Sequence, residues 1–262
     1  MTVTKPLMFL IPGMDGTGLL FYRQAPLLAS RFNVVAHRLR DDRDRMEGLV
    51  DDLRARLDDL APAAEPAFLI GESFGGALAL SFALAHPARV AGLVIVNSFP
   101  YFNPQLRLRL AIHGLSLLPW GAMRIVRRAT AWRMHSRHTH RDDLRHFLSL
   151  MRQTTRAGYV NRLRILTGYD VRARLHQVQP PTLFLASSDD HLVPAVEQGR
   201  LMAGAVPRST VRVLDGHGHI CLIAPDLNLL EIVEEWQANL EPSVRTSPDA
   251  MAPFGPHWIN WV

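Results

Sequence analysis

Six short apolar runs stand out along the chain: 7–11, 33–36, 67–70, 91–96, 182–187 and 210–214. Runs such as Leu7-Met8-Phe9-Leu10-Ile11 and Thr182-Leu183-Phe184-Leu185-Ala186-Ser187 show almost no polar alternation. They are too short for helices and apolar on both sides, as strands of a sheet covered on both faces must be. Stretches with helical spacing lie between them. Phe21–Arg31 is one; Met46–Leu60 is another, with Leu49, Val50, Leu53, Leu57 and Leu60 on one face. Strands alternating with helices predict an α/β fold, with a mostly parallel, doubly wound sheet of about six strands.

The alternation lapses between residues 101 and 179. That span is rich in helix formers and holds no convincing strand, so it is expected to be a helical cap inserted into the core. Residues 1–100 and 180–240 then make the core. After Leu240 the prolines at 242, 248, 253 and 256 argue against helix, and 241–262 reads as an irregular tail. The cap's apolar positions include Leu110, Leu115, Leu117, Leu118, Trp120, Met123, Phe147, Leu148 and Met151, some of them suited to lining an acyl pocket.

Charge separates the same regions. The cap segment carries fifteen arginines, no lysine and three aspartates, a balance of +12 in a chain of net charge +5, which leaves −7 elsewhere. Opposite charges would help cap and core dock. An electropositive mouth would also gather anionic partners: carboxylate-bearing acyl esters, an acidic carrier protein or an anionic lipid surface. Arg127-Arg128 is a pair rather than a tract, and no nucleic-acid motif accompanies it, so nucleic acid is not an expected partner. Asp41-Asp42-Arg43-Asp44-Arg45 reads as a solvated loop rather than a metal site. One cysteine, Cys221, excludes an internal disulfide and reads as packing. No apolar run reaches the roughly 18 residues of a membrane span, and the first run is too short for a signal-peptide core. Cytoplasmic placement is the expectation.

The chemistry sits at the ends of the runs. Gly71-Glu72-Ser73-Phe74-Gly75-Gly76 follows one strand and precedes Ala77-Leu78-Ala79-Leu80, a strand–serine–helix turn of the G-x-S-x-G kind. Such a turn exposes the serine hydroxyl and aims free helix N–H groups at developing negative charge. After the first strand comes Pro12-Gly13-Met14-Asp15-Gly16-Thr17-Gly18. It lacks the Gly-Lys-Ser/Thr ending of a phosphate loop and does not match G-x-G-x-x-G. The backbone N–H groups of Met14 and Phe74 are the expected oxyanion donors. Ser188-Asp189-Asp190 follows the fifth strand; the acid-x-x-Val-Pro spacing, a habit of such folds, favours Asp190 over its rival Asp189. Asp215-Gly216-His217-Gly218-His219 follows the last, with His219 the expected base and His217 the rival. The order Ser73, Asp190, His219 matches neither protease order.

As a set, these loops resemble the α/β-hydrolase superfamily over about residues 5–100 and 180–240. The P-G-x-D-G-T-G loop with G-E-S-F-G-G is also similar to the hydrolase-like domain of phytyl ester synthases and their bacterial relatives. The resemblance implies esterase or acyltransferase chemistry on lipidic acyl groups. It implies a minimal core, because the first strand already feeds the oxyanion loop. The chain departs at Pro12, where His is more usual; the Met14 N–H is unaffected. Three functions follow: a cofactor-free, metal-free carboxylic ester hydrolase working through an acyl-enzyme, an acyltransferase using an alcohol acceptor, and a non-catalytic binding protein. The complete serine–acid–histidine order argues against the last.

Overall fold

A computed structural model describes residues 5–61, 65–102 and 136–240. Six parallel strands form one sheet: β1 Leu7–Ile11, β2 Asn33–Ala36, β3 Ala67–Glu72, β4 Val90–Val96, β5 Thr182–Ser187 and β6 Ser209–Leu214, in the order β2-β1-β3-β4-β5-β6. The described helices are α1 Gln24–Leu28, α2 Met46–Leu60, α3 Phe74–Ala85, α4 Arg141–Leu150, α5 Arg156–Thr167, α6 Ala195–Ala205 and α7 Leu229–Leu240. This is the parallel, doubly wound α/β sheet anticipated from the apolar runs, and it fits the α/β-hydrolase architecture that the resemblance implies.

Neighbouring side chains on each strand go to opposite faces, which explains why the four inner strands are apolar nearly throughout, while the edge strands β2 and β6 carry Asn33 and Arg212 and are partly exposed. Phe9, Ile11, Leu69, Leu93, Ile95 and Phe184 pack on one side with α2 and α3, against Leu49, Leu53, Leu57, Leu78 and Phe82. Met8, Leu10, Ile70, Val94, Leu183 and Leu185 pack on the other, with Leu28 of α1 and Ile232, Val233 and Trp236 of α7. Helix α2 has the predicted limits, but Leu60, on the apolar face at the helix end, is 41% exposed. The predicted helix 21–31 is a 3-10 turn at Leu19–Phe21 followed by the short α1. Pro26 fits there only because it sits in the first turn, where no N–H partner is lost.

Of the 101–179 segment, α4, α5 and two 3-10 turns are described, together with an isolated bridge between Tyr101 and Asp170. Phe147 of α4 packs with Leu20, Ile220 and Ile223, with Leu148 and Met151 alongside. Ile165, Leu166, Tyr169, Val171 and Leu175 join the main core cluster. Leu110, Leu115, Leu117, Leu118, Trp120, Met123, Arg127, Arg128 and the 241–262 tail lie outside the described residues. No helix among the described residues is long and apolar enough to cross a membrane.

Register places the functional loops together. Ile11 pairs with Gly71, Glu72 with Val96, Val96 with Leu185, and Ser187 with Leu214. All the loops singled out above therefore leave one carboxyl edge. The chain goes from β1 outward to β2, then back across to β3. The loops after β1 and β3 flank that reversal, where an open parallel sheet forms its binding crevice.

Candidate active site

Strand β3 ends at Glu72 and α3 begins at Phe74, so Ser73 alone makes the turn. Its backbone is held at φ 54°, ψ −117°, in a region where a non-glycine residue costs about 1–3 kcal/mol. The surroundings hold it there: Ser73 N donates to Val96 O at 2.8 Å, and Ser73 O accepts from Gly76 N at 3.0 Å and from Ser98 Oγ at 2.7 Å. A Cβ on Gly71 would fall on the Gly75 carbonyl, and one on Gly75 on the carbonyls of Ile11 and Pro12. Backbone meets backbone at this turn, and only glycine permits it.

His219 Nε2 lies 3.1 Å from Ser73 Oγ, and His219 Nδ1 lies 2.7 Å from Asp190 Oδ2. The other Asp190 oxygen accepts from Leu192 N at 2.8 Å and Val193 N at 2.9 Å. Both oxygens are thus used, and the Asp190 side chain is sealed from solvent. Burial alone pulls the His219 imidazole down; the Asp190 charge and hydrogen bond, with Glu72 behind them, outweigh it, and the net shift is upward.

The two rivals point elsewhere. Asp189 accepts from Ser188 Oγ at 3.0 Å, and its N–H binds His217 O at 2.9 Å. His217 stacks on His138 with ring centroids 4.1 Å apart and planes 11° apart. Among the described residues, His138, His217 and Asp226 bring ligand atoms within 4.8 Å of one another. His138 Nδ1 lies 2.6 Å from Asp226 Oδ2 and His217 Nε2 lies 3.9 Å from the same oxygen. Cys221 is buried beside the site, and burial pushes its thiol up to about 12, so it stays a neutral thiol.

Phe74 opens α3, so its N–H has no acceptor within the helix. The loop after β1 runs beside it: a Cβ on Gly13 would strike the Glu72 carboxylate. Within this loop Gly16 N donates to Gly13 O at 3.1 Å, and Asp15 Oδ2 accepts from Thr17 N at 2.8 Å and from Thr17 Oγ1. Glu72, next to the serine, is fully buried; burial first, then Asp15 and Asp190, push its carboxyl up to about 7 against His219 and the Gly13 N–H.

Three residues here carry no spacing signal. Asn97, at φ 47°, ends β4. Its Oδ1 accepts from Ser187 N at 2.8 Å, and its Nδ2 donates to His219 O and Ser187 Oγ, both at 2.9 Å. One amide therefore ties the acid strand to the histidine loop. Arg162 of α5 donates from Nε to Met14 O at 3.0 Å and from Nη2 to Asp15 O at 3.3 Å. Its Nη1 lies 3.2 Å from Asp41 Oδ1. The expected solvated loop is right for Asp42 and Asp44, which are exposed, but Asp41 turns inward to Arg162 because a buried guanidinium requires a counter-charge.

A family model described as "Serine aminopeptidase, S33" (Hydrolase_4) matches residues 36–226. The chain belongs to this family of α/β-hydrolases. Among relatives of this hydrolase is chloroplastic phytyl ester synthase 1 of Arabidopsis thaliana, 26% identical over 87% of the chain. The chain spans only 36% of that protein's length. A protein of Serratia proteamaculans (strain 568) named as a candidate carbamate hydrolase, RutD, is 26% identical over 90% of this chain and 92% of its own. A thermophilic esterase from Thermogutta terrifontis superposes with a TM-score of 0.80 at 20% identity, covering 92% of each chain.

Proposed function

We propose that this hydrolase cleaves carboxylic esters through an acyl-enzyme. Ser73 Oγ attacks the ester carbonyl while His219 Nε2 takes its proton. Asp190 holds the imidazole in the required tautomer and stabilises the imidazolium. The N–H groups of Met14 and Phe74 receive the oxyanion. His219 returns the proton to the departing alcohol, and a water activated by the same imidazole releases the acid. Every charge in this cycle is met by groups of the chain itself, with no cofactor or metal called upon.

The observation that carries the reading is the unbroken relay from Asp190 through His219 to the hydroxyl of a strained, pinned serine. Ser73→Ala is expected to lower turnover of p-nitrophenyl butyrate by about 10⁵- to 10⁶-fold with the fold intact. Wild-type rates in that variant would end the assignment. The expected substrate is a small or lipidic acyl ester, anionic or carried by an acidic protein, met in the cytoplasm by a cap of residues 101–179.

Similarity to phytyl ester synthase 1 supports a second reading, transfer of the acyl group to an alcohol. Supplying a long-chain alcohol and measuring new ester against free acid separates the two.

A further inference from the structure

Arg162 is the largest side chain fully buried among the described residues, with 1% of its surface exposed. A charged guanidinium in the interior is costly, and a Met or Leu would fill similar space without that cost. What an apolar side chain cannot supply is a rigid fork of donors. Each of its three nitrogens is used: Nε on Met14 O, Nη2 on Asp15 O and Nη1 on Asp41. Asp41 is held in turn, its carbonyl accepting from Asn161 Nδ2 at 2.9 Å. Room for the group is built in from both sides. A Cβ on Gly16 would strike the guanidinium, and one on Gly158 would strike the Asp41 carboxylate.

Three successive peptide planes of the loop are held, one by the loop itself and two by Arg162. Gly16 N holds the Gly13 carbonyl, and Arg162 holds those of Met14 and Asp15. In a trans peptide the C=O and the following N–H point in opposite directions. Anchoring the Gly13 carbonyl therefore turns the Met14 N–H the other way, and the two planes after it cannot flip while the fork is in place.

We infer that Arg162 is a positioning residue for the oxyanion donor: it sets the backbone of Met14 and Asp15 so that the Met14 N–H faces the reacting carbonyl, and it couples helix α5 of the inserted segment to that loop. The inference rests on the ester-hydrolase reading of the site. It gives this part of the 101–179 segment a role in the chemistry.

The test compares wild type with Arg162→Lys, which keeps the charge and loses the fork, and Arg162→Met, which keeps the bulk alone. Kinetics on p-nitrophenyl butyrate and affinity for a trifluoromethyl ketone are measured beside hydrogen exchange of the peptide covering residues 12–18. Removing one oxyanion donor costs about 10²- to 10³-fold in kcat. Arg162→Met is expected to lose about that much with KM changed less than about threefold, and trifluoromethyl ketone affinity to fall in step. Arg162→Lys is expected to lose about 10- to 100-fold, with exchange in 12–18 faster by about tenfold in both variants. Should Arg162→Met fail to fold, the lysine variant decides alone. Unchanged kcat with unchanged loop exchange in folded Arg162→Lys would overturn the inference. A loss confined to KM would overturn it too. If the wild type neither turns over esters nor reacts with a fluorophosphonate, the hydrolase reading falls. Loop exchange still decides whether Arg162 orders Met14: faster exchange supports that, and unchanged exchange rejects it.

Discussion

The serine turn and the loop after β1 lie side by side, yet they are held by different means. At Ser73 the constraint is backbone against backbone: Gly71 against the Gly75 carbonyl, Gly75 against the Ile11 carbonyl, Ser73 N on Val96 O. The parts come from β3, α3 and the ends of the adjacent strands, with Pro12 and the Ser98 hydroxyl just beyond them. At Met14 the constraint is a side chain that arrives from 148 residues away. The histidine loop resembles the second case, since Asn97 reaches it across 122 residues. On the proposed reading, the nucleophile is presented by close backbone packing, whereas the groups proposed to activate it and receive its charge are placed by buried side-chain hydrogen bonds. The first kind of constraint tolerates no added atom. The second tolerates some, because a side-chain tip can give way.

Breaking the relay on the side-chain-held part has the largest expected effect. Asp190→Asn should lower kcat by about 10⁴-fold, because the wrong imidazole tautomer is then favoured. The pH profile gives the sign. His219 must be neutral to act as base, and its pKa is raised, so kcat/KM should climb through a midpoint above the ordinary 6.5 and level off at higher pH. With Asp190 neutralised, burial dominates and the midpoint should move below 6.5.

Gly71→Ala tests the backbone-held part. Its Cβ meets main chain that cannot move aside, so a loss of about 3 kcal/mol in denaturant unfolding is expected. Asn97→Ala leaves the Ser187 N–H and the His219 carbonyl without partners, and should cost about 1–3 kcal/mol. Gly16→Ala sharpens the contrast. At φ 70° any Cβ is strained, and this one also meets the Arg162 guanidinium, so only the second part of its cost should vanish in an Arg162→Met background, a coupling of about 1 kcal/mol. Additive losses in that cycle would show that the loop does not depend on the fork.

The smallest expected effect concerns Glu72. Its folded pKa, about 7, lies above the ordinary 4.5, so the folded state keeps a proton that the unfolded chain has released between those values. Stability should therefore decline as pH rises from about 4.5 to 7, then stop declining. In Glu72→Gln the slope of Tm over that window should flatten. The acid limb of kcat/KM should move down slightly, since the Glu72 charge no longer favours the imidazolium.

The strands and α2 were legible because burial on both faces of a sheet, or on one face of a helix, writes a period into neighbouring residues. Leu60 and the 21–31 stretch departed from it where a helix end and Pro26 altered the local geometry. Ser73, Asp190 and His219 could be singled out because residue type and position after a strand are both local facts. Spacing favoured Asp190 over Asp189 and His219 over His217, but each pair shares one loop, and the direction of each side chain is visible only in the fold. Arg162, Asn97 and Asp41 were invisible as site residues: arginine in a basic helix, asparagine at a strand end and aspartate in a charged run each look like surface.

The sequence by itself determined the alternation of strands and helices, because hydrophobic demands repeat among neighbouring residues, and it marked the turn at Ser73 by residue type, because glycines flank the serine where backbone must meet backbone. Tertiary structure alone decided which carboxylate meets His219 and which guanidinium enters beneath Met14. Those contacts are fixed by the packing of elements more than a hundred residues apart in places, and a buried hydrogen bond leaves no pattern near either of its ends.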